Sequence, residues 1–481
     1  MLFNSIHFLV FFPIVVGLYY SIPHRFRWVL LLLGSYYFYL SWKAEYIIII
    51  FLSTLIDYFV AKRLYDTKSQ KIKNYLLGVS LVFNLGTLFA FKYFNFFSDS
   101  TREIFQHLSI QLDPITLQVL LPVGISFYTF QTLSYTIDVY RNNIKPEKHF
   151  GIFALYVSFF PQLVAGPIER AKNLLPQFYE KHEFNYDRVT FGLKLMLWGF
   201  FKKVVIADRL AVVVDTVFGN VYEHTGTAFI LATFFYAFQI YCDFSGYSDI
   251  AIGSAHVMGF RLMTNFRRPY FSKSIPEFWR RWHISLSTWF KDYVFIPLGG
   301  RMVTIPRLYF NLTVVFVVSG LWHGANWTFV AWGLLNAVYM ILDTSIQLFR
   351  ERFFKPIKSE NESPVISIFK ILLTFVLVNI GWIFFRANNV SEALYIVSNL
   401  FSKISFTIPS LNMGLTYFGL VYILMLIGFL MFVEFIQERT SIKKLLETFP
   451  VAIRWSGYIV LLLIITTFGV FNHTQFIYFQ F

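Results

Sequence analysis

The run Leu321-Trp322-His323-Gly324-Ala325-Asn326-Trp327 sets one histidine inside an otherwise almost continuous apolar region, Leu308 to Leu348. Ionisable groups are costly in a membrane and face the bundle interior or a wet cavity when they occur there. Imidazole is also the side chain best matched to proton transfer near neutral pH. Gly320 and Gly324 lie on either side of Leu321–His323 and permit a close backbone approach or a helix break. The residues leave two roles open for His323: a structural imidazole bonded to a backbone carbonyl, or a group that moves protons.

A second candidate is Pro276-Glu277-Phe278-Trp279-Arg280-Arg281-Trp282-His283-Ile284-Ser285-Leu286-Ser287-Thr288-Trp289. At helical spacing Arg280, His283 and Ser287 share one face, and Trp282, Leu286 and Trp289 share another. That pattern predicts a basic amphipathic helix at the membrane surface. It accounts for the tryptophans and arginines, and it leaves His283 available for catalysis or substrate positioning. In Tyr241-Cys242-Asp243-Phe244-Ser245-Gly246-Tyr247-Ser248-Asp249, two carboxylates flank a Ser-Gly-Tyr-Ser run at the end of a predicted apolar helix. Asp243 and Asp249 suit helix capping, orientation of a histidine, or contact with polar substrate groups. His256, a little further on, reads as packing in a solvated loop. Phe160-Pro161-Gln162-Leu163-Val164-Ala165-Gly166-Pro167-Ile168-Glu169-Arg170 carries two prolines and a glycine and predicts a bent or re-entrant element.

The chemistry is narrowed by what is missing. The sequence has no GxxxxGK[ST] loop, no GxGxxG after a strand, no HExxH and no GxSxG elbow. Its single cysteine, Cys242, excludes an intrachain disulfide and a cysteine-based metal cluster.

The elements that must carry these residues are membrane helices. Of 481 residues, 56% are hydrophobic, 21% aromatic and 14% charged, and the mean hydropathy is +0.56. A soluble domain carries roughly 25% charged residues, so the chain lacks the charge to cover a water-facing surface. The formal net charge of +14 falls in short clusters between apolar runs, as expected of loops beside an anionic leaflet rather than of a nucleic-acid-binding surface. Candidate spans are Ser5–Ser21, Trp28–Trp42, Tyr46–Ala61, Tyr75–Phe96, Leu117–Val139, Gly151–Val164, Thr190–Phe218, Thr227–Phe244, Leu308–Leu321, Trp327–Leu348, Ile366–Phe385, Leu415–Ile436 and Ser456–Phe471. Several are short or interrupted, so about 11 true spans are expected, the rest re-entrant or interfacial.

The N-terminus has no basic n-region and reads as a retained first span. Basic loops at Arg25–Arg27, Lys62–Lys73, Arg350–Lys358 and Arg439–Arg454, placed inside, make both termini extracytoplasmic. The cluster Arg261, Arg267, Arg268, Lys273, Arg280 and Arg281 reads as cytoplasmic. No internal repeat or long linker divides the chain, which predicts one membrane domain over 1–481, with core motifs in about 118–348 and flanking helices in 1–117 and 349–481.

Taken in order, these blocks resemble the membrane-bound O-acyltransferases, in the bacterial alginate O-acetyltransferase branch. The resemblance covers nearly the whole chain. It runs from Met1-Leu2-Phe3-Asn4-Ser5 and Pro122-Val123-Gly124-Ile125-Ser126-Phe127-Tyr128-Thr129-Phe130-Gln131 through the four segments above. It ends with Gly381-Trp382-Ile383-Phe384-Phe385-Arg386-Ala387 and Phe476-Ile477-Tyr478-Phe479-Gln480-Phe481.

The resemblance implies an all-α polytopic membrane fold around a central funnel, with His323 as the essential histidine at its base and His283 as the second catalytic position. It implies transfer of acetyl from cytoplasmic acetyl-CoA, a substrate and not a bound cofactor, across a bacterial cytoplasmic membrane. A periplasmic or extracellular SGNH-type acetyltransferase partner would pass it to a polysaccharide such as an alginate-like exopolysaccharide, cellulose or peptidoglycan. Asp243, Ser245, Asp249, Arg280, Arg281, Ser287, Trp322 and Asn326 are the candidates for contact with substrate. No metal ligand set and no nucleic-acid partner are expected; membrane lipids surround the chain. Two rival readings are D-alanyl transfer to teichoic acid by the same fold, and a glycan or lipid transporter. The second is disfavoured by the lack of pseudo-symmetric halves.

Overall fold

The computed structural model describes residues 1–111, 113, 115–118, 121–164, 166–353, 363–405, 407, 413–441, 445, 448–471 and 476–477. Ala165, Lys355, Lys358, Lys443, Lys444 and the last four residues of the closing motif lie outside the described residues. Those described form helices joined by short turns, with no strand among them. Among the described residues, eight helical runs are long and apolar enough to cross a membrane: Ala44–Asp66, Gln70–His107, Thr227–Met258, Ile305–His323, Trp327–Phe353, Pro364–Arg386, Tyr417–Arg439 and Val451–Phe468. Large apolar side chains on many of these helices, such as Val82, Leu372 and Leu463, are exposed, as befits a surface solvated by lipid. The protein is a polytopic membrane protein.

Two compact units divide the chain: Met1–Met196 with Ser248–Thr264, and Leu197–Tyr247 with Asn265–Phe481. The first contains α1 (Ile6–Ser21), α2 (His24–Leu40), α3 (Ile47–Asp66), α4 (Gln70–Leu88), α5 (Phe94–His107), α6 (Ile125–Tyr140), α7 (Phe150–Ser158), α8 (Phe160–Leu163), α9 (Ala171–Leu174) and most of α10 (Tyr186–Phe200). Helix α1 starts where the Ser5 hydroxyl accepts the Phe8 N–H, and α7 where the His149 ring accepts that of Ile152. Helices α3, α4 and α6 pack together around a buried carboxylate. Asp57 accepts hydrogen bonds from Ser80 (2.5 Å), Asn84 (2.9 Å) and Thr136 (3.2 Å), one or two from each neighbouring helix. Such polar contacts hold helices together where lipid removes the hydrophobic drive.

Among the described residues of the predicted span Leu117–Val139, the helix begins at Ile125, where Gly124 adopts φ +77° as the N-cap of α6. The predicted bend at Phe160–Arg170 is present: Phe159 breaks the helix, α8 carries Pro161, and the chain turns at Gly166.

The second unit contains α11 (Asp208–Gly219), the first two-thirds of α12 (Thr227–Met258), α13 (Ile275–Arg281), α14 (Ile284–Phe290), α15 (Ile305–His323), α16 (Trp327–Phe353), α17 (Pro364–Arg386), α18 (Val390–Asn399), α19 (Tyr417–Arg439) and α20 (Val451–Phe468). A π-helical stretch, Phe201–Ala207, joins α10 to α11. Helices α15 and α16 form a hairpin, α17 packs on α16, and α13 lies against both α16 and α17. The hairpin is tight because Gly320 faces α16: a Cβ there would stand 2.2 Å from the Phe329 carbonyl oxygen.

Three expectations are corrected. The 276–289 segment is not one amphipathic helix but two short ones, broken at Trp282–His283, where His283 takes φ +42° and ψ +54°. Asp243 and Asp249 do not cap a helix end, and His256 is not in a loop. Helix α12 runs unbroken to Met258, because side chains such as Asp243 and Ser245 meet buried partners that let the helix carry them internally.

Candidate active site

His323 is the last residue of α15, and Gly324 leaves the helix in an extended conformation, φ −166° and ψ 153°. Of the two outcomes the glycines permit, a helix break falls directly after the histidine at Gly324, and a close backbone approach occurs at Gly320. His283 sits at the start of α14 in the left-handed region, a conformation that costs a non-glycine residue on the order of 1–3 kcal/mol. Both side chains are buried, His283 1% and His323 3% exposed. Their ring centroids are 6.4 Å apart.

Aromatic rings enclose the pair. Phe244 meets the His283 ring edge-on at 4.6 Å, and Phe266 lies parallel to it at 6.4 Å. Trp322 touches both histidines, at 5.8 and 5.0 Å. Trp332 and Phe385 stand edge-on to His323 at 5.1 and 5.2 Å. In this apolar enclosure, burial pushes the His283 pKa down to about 3, so its imidazole is neutral at physiological pH. A neutral imidazole carries one N–H donor and one acceptor nitrogen.

The carboxylate candidate Asp243 lies on α12 one residue before Phe244, and it is committed to an ion pair. Lys203 Nζ lies 2.6 Å from Asp243 and 2.8 Å from Asp208, all three side chains being buried. The other Asp243 oxygen accepts the backbone N–H of Ile477 at 2.7 Å, and Phe476 packs on Phe244 and Tyr247. Ser245 accepts a hydrogen bond from Lys202 Nζ at 2.9 Å. Tyr241, on the same face of α12, donates to buried Glu434 of α19. Asp249 is half-buried, lies further along α12 and belongs to the first unit.

Arg281 is tied to Glu277 (2.7 Å) and Glu438 (2.5 Å), and Arg268 shares Glu438. Arg280 is exposed. Ser287 donates to the Trp282 carbonyl at 3.2 Å. Asn326 donates to the Asn388 carbonyl and accepts the Thr328 N–H, which fixes the start of α16. Of the ten sequence candidates, then, His283, His323 and Trp322 come together in ring contact; the others lie on elements around them or, for Asp249, in the other unit.

Sequence reasoning missed Lys202, Lys203, Glu434 and the cage residues Phe266 and Trp332. Two consecutive lysines inside the predicted span Thr190–Phe218, and a glutamate inside Leu415–Ile436, were the available signals, since an intramembrane charge asks for a named partner. The cage rings carried no such signal among 100 aromatic residues, since 60 Phe, 29 Tyr and 11 Trp leave none conspicuous. Among the described residues no group of three or more His, Cys, Asp or Glu side chains could hold a metal ion.

A family model for membrane-bound O-acyltransferases matches residues 147–387, which contain all ten candidate residues. The chain is 40% identical over 416 residues to a probable alginate O-acetylase, AlgI, of Pseudomonas aeruginosa, covering 86% of this chain and 77% of that one. It is 36% identical over 400 residues to a peptidoglycan O-acetyltransferase of Helicobacter pylori, covering 77% and 73%. It is 28% identical over 285 residues to a teichoic acid D-alanyltransferase of Bacillus subtilis, covering 55% and 68%.

Proposed function

Since the chain belongs to the membrane-bound O-acyltransferase family, we propose that it moves an acetyl group from cytoplasmic acetyl-CoA across a bacterial cytoplasmic membrane for O-acetylation of an extracytoplasmic polysaccharide. The observation that carries the reading is the pair of buried imidazoles 6.4 Å apart inside an aromatic enclosure. A small acyl group held between them meets both rings in a space that excludes bulk water.

In this reading His323 is the general base. It takes the proton of an acceptor hydroxyl as the oxygen attacks the thioester carbonyl, and the C–S bond then breaks. The proton passes from His323 to the departing thiolate, leaving an ester and free coenzyme A. General-base action of this kind contributes about 10²- to 10⁴-fold in rate. His283, neutral because it is buried, donates its N–H to the carbonyl oxygen as negative charge develops there. A route through an acetyl-histidine uses the same atoms in two steps.

Arg280, exposed at the end of α13, attracts the donor phosphates, whereas Arg281 is already occupied by Glu277 and Glu438. Trp322 shapes the acyl pocket. Asp243, Ser245, Ser287 and Asn326 fix the elements that line it, and Asp249 stays a candidate for contact with a polar substrate group further along α12. The acetyl group leaves through an SGNH-type acetyltransferase partner outside the membrane. All 481 residues serve as one catalytic membrane domain of about 11 spans around the funnel typical of the family. Helices α1, α2 and α6 supply spans beyond the eight long ones, and both termini are extracytoplasmic.

The relatives' names support acetyl over D-alanyl transfer: the O-acetylating relatives match at 36–41% identity over at least 77% of the chain, the D-alanyltransferases at 28% over 46–55%. The test is to give purified protein in nanodiscs radiolabelled acetyl-CoA or a D-alanyl-loaded carrier protein, with and without an SGNH-type partner and polysaccharide. The reading requires release of free coenzyme A and labelled ester. Label taken only from the D-alanyl carrier, or a glycan moved with no donor consumed, would overturn it in favour of the first or second rival.

A further inference from the structure

His283 has a left-handed backbone, a region uncommon for any residue with a Cβ, and it sits where an N-cap residue would use its side chain to bond the first amides of α14. The His283 side chain makes no such capping bond. The capping is done from elsewhere, by one fully buried residue. The Asn265 carbonyl accepts the Ile284 N–H at 2.9 Å. Its side-chain Oδ1 accepts the Ser285 hydroxyl at 2.9 Å and the Ser285 N–H at 3.3 Å. Two residues along, the Arg267 N–H donates to the Arg281 carbonyl at 2.8 Å, so the segment 265–267 brackets Trp282–His283 from both sides. Between the two brackets, Phe266 lies parallel to the His283 ring and edge-on to Trp282 at 5.0 Å.

We infer that Asn265 is a positioning residue for His283: it caps α14 in place of His283, holds the left-handed turn, and so sets the imidazole beside that of His323. The inference rests on the reading of His283 as part of the active site, but its geometric half can be tested without activity. A strained turn keeps its shape only while its surroundings hold it. Removing the Asn265 side chain leaves the Ser285 amide and hydroxyl without their acceptor, and the turn then relaxes towards conformations ordinary for histidine.

The experiment compares Asn265→Ala, Asn265→Asp and Ser285→Ala in nanodiscs, each labelled with [15N]histidine. The His283 ring signal is assigned by its disappearance in His283→Ala. In Asn265→Ala that signal is expected to shift or broaden, and in Asn265→Asp, which keeps an acceptor oxygen, to return towards its wild-type position. With acetyl-CoA as donor, Asn265→Ala is expected to lower kcat on the order of 10²-fold while KM stays within about twofold, as misplacement of a reacting group does. Added to His283→Ala, it should cause no further loss.

An unmoved His283 signal in Asn265→Ala, or a loss that multiplies on top of His283→Ala, overturns the inference. A moved signal with wild-type transfer in both Asn265→Ala and His283→Ala supports the positioning role and instead refutes the catalytic reading of His283. If Asn265→Ala does not fold, Ser285→Ala, which removes only the hydroxyl partner, takes the same ring-signal test: a shifted signal supports the inference and an unmoved one overturns it.

Discussion

Gly324→Ala is a one-methyl perturbation placed beside His323. The backbone there is extended at φ −166°, so alanine brings no backbone strain, and the effect is purely one of space. A Cβ at Gly324 would stand 2.0, 2.4 and 2.9 Å from three atoms of the Phe329 ring. Carbon atoms rest at about 3.5 Å or more, so the nearest ring atom must retreat by roughly 1.5 Å. Phe329 has little room to do so: it is buried and edge-on to Phe385 at 4.9 Å, and Phe385 in turn meets His323 at 5.2 Å and Trp332 at 5.2 Å. Overpacking of this kind costs about 1–3 kcal/mol. Displacement of a reacting group by about 1 Å costs on the order of 10²-fold in rate. We therefore expect kcat for acetyl transfer in nanodiscs to fall about 10- to 100-fold, with a modest drop in the thermal midpoint. Phe329→Leu, added to Gly324→Ala, should recover part of the rate by vacating the contested space. A Gly324→Ala protein with wild-type rate and midpoint would refute the reasoning, because the cage would then not be what holds His323.

Three further outcomes are expected. Lys203→Met leaves Asp208 and Asp243 buried without their cation and should cost about 3–5 kcal/mol, whereas Asp243→Asn keeps the Lys203–Asp208 pair and an acceptor for Ile477 and should cost less; thermal melts that reverse this order would contradict the assignment. The folded His283 binds its proton near pH 3 and the unfolded one near 6.5, so its contribution to stability is complete above pH 6.5 and is lost as pH falls towards 3, by about 1.4 kcal/mol per unit. His283→Gln should flatten that part of the melting-versus-pH curve, and an unchanged slope would count against a buried, neutral His283. Arg280→Ala should raise KM for acetyl-CoA at unchanged melting temperature, while Arg281→Ala, which takes the arginine from Glu277 and leaves Glu438 to Arg268 alone, should lower stability by up to about 1 kcal/mol; equal effects of the two on KM would place both at the donor.

The helical membrane class was legible because apolar length and sparse charge are properties of each segment alone. The break at Gly324 was legible for the same reason: glycines beside a lone histidine mark a local event. The break at His283 was not. Helical periodicity across 276–289 is unblemished, and what overrides it is a bracket formed by residues 265–267, some twenty positions earlier in the chain. Asp243 was visible as a carboxylate near a polar run, yet its partners Lys203 and Ile477 are set by packing, so a capping role was the natural local reading and the wrong one. The aromatic cage was invisible for a different reason. With one residue in five aromatic, composition gives no way to choose the few rings that meet the histidines.

The central claim is that His323 moves the proton during acyl transfer. The most direct measurement is single-turnover transfer of radiolabelled acetyl from acetyl-CoA by wild-type and His323→Ala protein in nanodiscs, with donor binding measured on the same samples. The account predicts that His323→Ala binds acetyl-CoA within a fewfold of wild type but transfers at least about 10²-fold more slowly. Transfer at the wild-type rate without His323 would contradict it.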